Sequence, residues 1–288
     1  LEKYNGNFNK MNLKLKIKAL LLICLIYFGF TSYFSAQNLD KTCFKSGADR
    51  PELYLPLLKN KTIAVLTNQT GLLKDKTNLV DFLVKKNIKI KTIFAPEHGF
   101  RGDADAGEHV KNGKDLKTGI PIISLYGDNK KPKPEQLKGI DIVVFDIQDV
   151  GVRFYTYIST LIYFMEAAAE NNVEVIVLDR PNPQDGFIDG PVLKSQWKSF
   201  IGMHEIPEIY GLTIGEYGKM VNGEKWLKNG IQTKYTVIPM ENYHKKERYE
   251  ISEKPSPNLP NALAINLYPS LCFFEGTQVS VGRGTDLP

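Results

Sequence analysis

Short apolar runs, each followed by a polar turn rich in glycine, set the rhythm of this chain. Residues 62–67 (TIAVLT) are continuously apolar and β-branched, the pattern of a strand buried on both faces. Residues 78–86 (NLVDFLVKK) place Leu79, Val80, Leu83 and Val84 on one helical face. A second strand is predicted at 88–94 (IKIKTIF), a third at 120–125 (IPIISL) and a fourth at 141–146 (DIVVFD). Residues 156–171 read as a helix with Leu161, Phe164, Met165 and Ala168 on its buried side. Residues 174–179 (EVIVLD) are a fifth strand. Residues 213–221 (TIGEYGKMV) are a helix capped by Thr213, with Glu216 three residues later, and residues 234–240 (KYTVIPM) are a sixth strand. Residues 37–60 form a lead-in with an apolar patch at 53–58, and 130–134 (KKPKP) is a charged, proline-broken surface loop.

Strands alternating with helices predict an α/β fold with a parallel sheet and helices on both faces. Right-handed crossovers bring every strand-to-helix loop to one edge of such a sheet. Ligands bind outside the carboxyl ends of the strands. The polar clusters of this sequence fall at those ends: Asn68 and Gln69, Glu97 and His98, Tyr126, Asp146 and Asp149, Asp179 and Arg180. Five separate loops are therefore expected to converge on one crevice.

The loop at 95–108 (APEHGFRGDADAGE) holds four acids, Glu97, Asp103, Asp105 and Glu108, with His98 and Arg101. Three glycines between them let the backbone turn sharply and approach a ligand. Glu97 is a candidate general acid or base, or a carboxylate that caps a helix or pairs with Arg101. The segment 146–155 (DIQDVGVRFY) packs Asp146, Asp149, Arg153 and Tyr155 behind a buried strand. It suits a glycoside or ester site, or an Asp–Arg pair bracing the loop. Asp179 and Arg180, beside two prolines, read more as a brace than as reactive groups. The chain has no GxSxG elbow, no GxxxxGK[ST] phosphate loop, no HExxH and no GxGxxG after its first strand. No cofactor is expected. The nearest metal-like set is His98, Asp103, Asp105 and His109, whose spacing matches no standard site.

Charge changes the picture only after the N-terminus is read. Residues 11–18 (MNLKLKIK) are basic, 19–30 (ALLLICLIYFGF) form a short apolar core, and 31–37 (TSYFSAQ) supply small residues with cleavage expected after Ala36. That is the plan of a secretory signal peptide, and the apolar run is shorter than the roughly 20 residues of a membrane span. Residues 1–10 precede the first Met and read as upstream sequence. The whole chain carries a net charge of +5; residues 1–36 hold five Lys and one Glu, so the remainder has 32 basic and 31 acidic residues, a net of +1. A nearly neutral body offers no electrostatic case for nucleic acid, and no stable membrane anchor is expected. The sequence does not reveal the oligomeric state.

Ten segments in order complete the reading: LTNQTG (66–71), APEHGFRG (95–102), AGE (106–108), SLYG (124–127), FDIQDVGVRFYTYISTL (145–161), LDRPNP (178–183), GLTIGE (211–216), PSPNLP (255–260), YPSLCFFEGT (268–277) and SVGRGTDLP (280–288). Together they resemble the family of exo-acting β-N-acetylmuramidases, formerly a domain of unknown function. The resemblance implies a Rossmann-like domain over 61–245 and the start of a smaller C-terminal domain over 246–288, cut short where family members continue. It implies a secreted, metal-independent glycosidase that releases terminal N-acetylmuramic acid from the non-reducing end of peptidoglycan fragments. By motif, Glu97 becomes the catalytic acid and Asp146 or Asp149 its partner. Arg101, Arg153 and Arg283 become candidates for the lactyl carboxylate, which a guanidinium fork matches. Tyr126 and Tyr155 would stack on or hydrogen-bond the sugar, with Asn68, Gln69, His98 and Glu108 beside it. The alternatives are a metal-dependent hydrolase and a non-catalytic cell-wall sugar-binding protein.

Overall fold

A computed structural model of the chain describes residues 44–97, 99–101, 112–245, 247, 249, 251 and 253–282. The chain divides into Leu1–Phe44 and Lys45–Pro288, and the fold is that of the second unit. The leader expected at 1–36 lies outside the described residues.

Seven strands build one sheet. They are β1 (Thr62–Thr67), β2 (Lys89–Ala95), β3 (Gly113–Lys114), β4 (Pro121–Ser124), β5 (Ile142–Asp146), β6 (Glu174–Leu178) and β7 (Tyr235–Ile238). Their spatial order is β3-β4-β2-β1-β5-β6-β7. Every pair is parallel except β3 with β4. The helices are α1 (Pro51–Leu58), α2 (Leu79–Lys85), α3 (Pro134–Leu137), α4 (Tyr157–Glu170), α5 (Ile214–Gly223) and α6 (Ala262–Leu271).

Strand periodicity sorts the core into two layers. Ile63 and Val65 of β1, Val144 of β5 and Ile176 of β6 face α1 and α2, where Tyr54, Leu58, Leu79 and Leu83 meet them. Ala64 and Leu66, Val143 and Phe145, Val175 and Val177 face the other way, onto Leu161, Phe164 and Met165 of α4 and Tyr217 and Val221 of α5. Both faces of the central strands are thus covered, which is why those strands read as unbroken apolar runs rather than alternating ones. Phe94 meets Phe164 edge-on at 5.0 Å between ring centroids.

Three helices lie where the sequence pattern predicts none. α1 falls within the lead-in, and α3 starts on Pro134, the last residue of the KKPKP loop, and runs on to Leu137. Each starts with proline at its first position, where the missing N–H costs nothing. A single turn such as α3 is too short to show periodicity. α6 contains Pro269, but Asn261 caps it by accepting the Ala264 amide at 2.9 Å.

The sheet reverses direction at β1. From there the chain runs outward through β2 and β4, then crosses back to β5 and continues through β6 to β7. The crevice over the carboxyl ends of β1 and β5 is therefore the switch point at which such sheets bind ligands.

Candidate functional site

A cavity of about 230 Å³ opens at this edge. Glu97, two residues past β2, lines it, with Phe154, Tyr155 and Tyr157 from the segment joining β5 to α4. Ser256, Tyr268 and Glu275 complete the wall from the C-terminal segment. The rings pack edge-on: Tyr155 with Tyr157 at 4.9 Å, Tyr155 with Tyr268 at 6.1 Å and Phe154 with Tyr268 at 5.3 Å. The result is an aromatic pocket with polar groups set into its wall, a mixture that can seat a small polar molecule.

Glu97 is oriented by Tyr126, which follows β4. The Tyr126 hydroxyl is held above the usual phenol range, first by burial and then by the charge and hydrogen bond of Glu97. It therefore stays protonated and donates to a Glu97 side-chain oxygen. Asn68, just past β1, is buried and locked. Its Oδ1 accepts from the Thr70 amide at 2.9 Å and the Thr70 hydroxyl at 2.6 Å, and its Nδ2 donates to Tyr157 Oη at 2.9 Å. Gln69 Nε2 donates to the Lys254 and Pro255 carbonyls, each at 3.1 Å, tying this loop to the C-terminal wall. Tyr155 Oη donates to the same Pro255 carbonyl at 2.8 Å.

Neither aspartate expected to partner Glu97 lines the cavity. Asp146 has no exposed surface and forms a bidentate pair with Arg180, at 2.6 Å to Nε and 3.0 Å to Nη2. Arg180 also donates to the Leu72 carbonyl at 2.9 Å. As the last residue of β5, Asp146 thereby clamps two neighbouring strand-end loops. Asp149 turns back into the protein. Its Oδ2 accepts the Gly151 amide at 2.7 Å and the Tyr210 hydroxyl, while its Oδ1 is buried with no partner among the described residues. Gly151 allows that turn, since its φ is +78° and a Cβ there would lie 1.9 Å from Asn182 Oδ1.

Two of the expected arginines are committed elsewhere. Arg101 grips Asp115 through Nε at 2.8 Å and Nη2 at 2.9 Å, and reaches Asp81 at 3.2 Å. Arg153 Nη1 donates to the Pro191 carbonyl at 2.8 Å and the Ile206 carbonyl at 2.5 Å, and it is not on the cavity wall. The remaining candidates, His98, Glu108 and Arg283, lie outside the described residues, as do Asp103, Asp105 and His109. Among the described residues no group of three His, Cys, Asp or Glu could hold a metal ion.

Two residues on the wall escape the sequence reading. Glu275 is an acid inside an aromatic run, CFFEG, and an acid in that setting is itself a signal. Tyr157 opens α4 with a polar-tipped ring where phenylalanine would serve packing alone.

Burial raises the carboxyls of Asp149 and Asp179 to about 6. Asp179 accepts from Thr213 Oγ1 at 2.7 Å and the Gly215 amide at 2.9 Å, at the N-terminus of α5. A carboxyl that binds its proton more tightly when folded stabilises the fold fully below pH ~4, and this stability is lost as pH rises through about 6. Asp149→Asn is expected to remove one such group. Against the wild type it should gain on the order of 2–3 kcal/mol between pH 4 and 7, at about 1.36 kcal/mol for each tenfold difference in proton affinity between the folded and unfolded chains. Urea midpoints of the two proteins across that range measure the gain, and parallel curves would exclude it.

The comparisons come to the same fold. The family description "Exo-beta-N-acetylmuramidase NamZ, N-terminal" matches residues 63–263, and its C-terminal counterpart matches 266–288. The peptidoglycan beta-N-acetylmuramidase NamZ of Bacillus subtilis (strain 168) is 46% identical over 260 residues, covering 88% of this chain and 62% of that protein. Two crystal structures of DUF1343 family proteins from Bacteroides fragilis NCTC 9343 superpose with a TM-score of 0.78 each, at 46% and 38% identity. Each alignment covers 85% of this chain, and 65% and 64% of the respective structures. The chain thus spans less than two thirds of the length of the relatives it matches. With a family description covering most of its length and the α/β sheet in place, this chain belongs to the exo-beta-N-acetylmuramidase NamZ family.

Proposed function

We propose that this chain is an exported glycoside hydrolase that removes terminal N-acetylmuramic acid from the non-reducing end of peptidoglycan fragments. The observation that carries the reading is the placement of Glu97, presented by a family member's switch-point loop into a small aromatic cavity. At about 230 Å³ the cavity lies below the roughly 300–1,000 Å³ of drug-sized pockets.

In this reading Glu97 gives its proton to the glycosidic oxygen as the bond from that oxygen to the anomeric carbon breaks. A water adds its oxygen to the anomeric carbon, and its spare proton passes to a carboxylate, so the site regains the proton it gave. Glu275 is the other acid among the described residues of the cavity wall and takes the partner role first assigned to Asp146 or Asp149. A separation of about 5–5.5 Å between the working carboxyls goes with retained configuration, and roughly 6.5–9.5 Å with inversion.

Incubation of the full-length protein with muramyl-glucosamine disaccharide, followed by identification of the sugars, tests the proposal. Free N-acetylmuramic acid is expected. Tight binding without cleavage would favour a sugar-binding protein, and activity abolished by a chelator would favour the metal-dependent alternative. Export is tested by sequencing the N-terminus of the secreted form, expected to begin at Gln37.

A further inference from the structure

Tyr157 is 3% exposed, yet it lines the cavity that Glu97 also lines. Hydrogen counting fixes what its hydroxyl can do. Asn68 Oδ1 already takes both the amide and the hydroxyl of Thr70, so its Nδ2 must donate into Tyr157 Oη. Tyr157 Oη is therefore an acceptor toward Asn68, and its own proton points elsewhere. The Pro255 carbonyl takes Gln69 Nε2 and the proton of Tyr155, which fills its two lone pairs. Tyr155 thus has its proton committed, whereas among the described residues no acceptor takes the proton of Tyr157, whose hydroxyl only accepts from Asn68. That proton is uncommitted among the described residues, on a residue that lines the cavity.

From this geometry we infer that Tyr157 is a further substrate-positioning residue: its hydroxyl, held by Asn68, donates to an acceptor oxygen of the sugar bound beside Glu97. The inference rests on the muramidase reading and deepens it. Burial holds the Tyr157 phenol well above the usual phenol range, and the nearby charges of Glu97 and Asp149 push the same way. The group therefore stays a donor at every pH the protein meets. Asn68, first read as a sugar contact, becomes the residue that aims it.

The test is a calorimetric titration of full-length Glu97→Gln with muramyl-glucosamine at pH 8, repeated with Tyr157→Phe and with Asn68→Asp added. Removing the hydroxyl is expected to weaken binding by about threefold to tenfold, the worth of one neutral hydrogen bond. Asn68→Asp keeps both bonds from Thr70 but accepts from Tyr157 instead of donating to it. It should produce a similar loss with the ring still present. Thermal midpoints of each variant identify the folded fraction. Unchanged affinity in both variants would overturn the inference. A loss in Tyr157→Phe alone would overturn it too, since Asn68 would then not set the direction of the Tyr157 proton. Failure of Glu97→Gln itself to bind the disaccharide would remove the muramidase reading and this inference together.

Discussion

Glu97→Gln is expected to lower the rate of muramic acid release by about 10²- to 10⁴-fold, the usual contribution of a positioned general acid, while leaving the fold intact. Glutamine preserves the shape and the carbonyl oxygen that accepts from Tyr126, but it has no proton to give the leaving oxygen. Glu97 is only partly buried, so the change in stability should stay within about 0.5 kcal/mol. Two measurements decide the matter: disaccharide turnover and the thermal midpoint of the same preparation. Turnover close to wild type would take Glu97 out of the mechanism. A collapsed midpoint would make the loss one of folding instead.

Asp146→Ala is expected to do the reverse. Asp146 is fully buried against Arg180, and its removal leaves a guanidinium without its counter-charge in the sheet's carboxyl edge. Breaking a buried pair from one side costs about 3–5 kcal/mol, a large share of the roughly 5–15 kcal/mol that hold a domain together. Chemical denaturation should show a large fall in midpoint, whereas the folded fraction should still cleave the disaccharide. A variant with wild-type stability and no turnover would return Asp146 to the catalytic role first read for it. The isosteric Asp146→Asn should fall between the two, because one oxygen remains to accept from Arg180.

The contrast between these residues follows from what a one-dimensional pattern can carry. Asp146 and Glu97 look alike in sequence: each is an acid at the end of an apolar strand. Their difference lies in the neighbour. Arg180 arrives from the end of β6, the adjacent strand, 34 residues later, and no local signal announces that it will point at Asp146. Arg101 is similar. Its partner Asp115 lies 14 residues on, across a stretch that gives no sign of folding back. Glu275 was hidden for another reason. It lies in a 3-10 turn after α6, a helix interrupted by Pro269, so neither periodicity nor a strand-end position pointed to it.

The sequence by itself determined the layered α/β architecture and the edge at which chemistry gathers. Short unbroken apolar runs and apolar periodicity of 3.6 decide which segments become strands and helices, and right-handed crossovers then allow only one side for the loops. The family motifs and the place of Glu97 at the end of β2 were legible for the same reason. Only the tertiary structure decided which polar groups face the cavity and which face each other. A buried charge must find a partner or be left at high cost, so packing drew Asp146 to Arg180, Arg101 to Asp115 and Asp149 to Tyr210. Glu97, Glu275, Tyr155 and Tyr157 line the cavity.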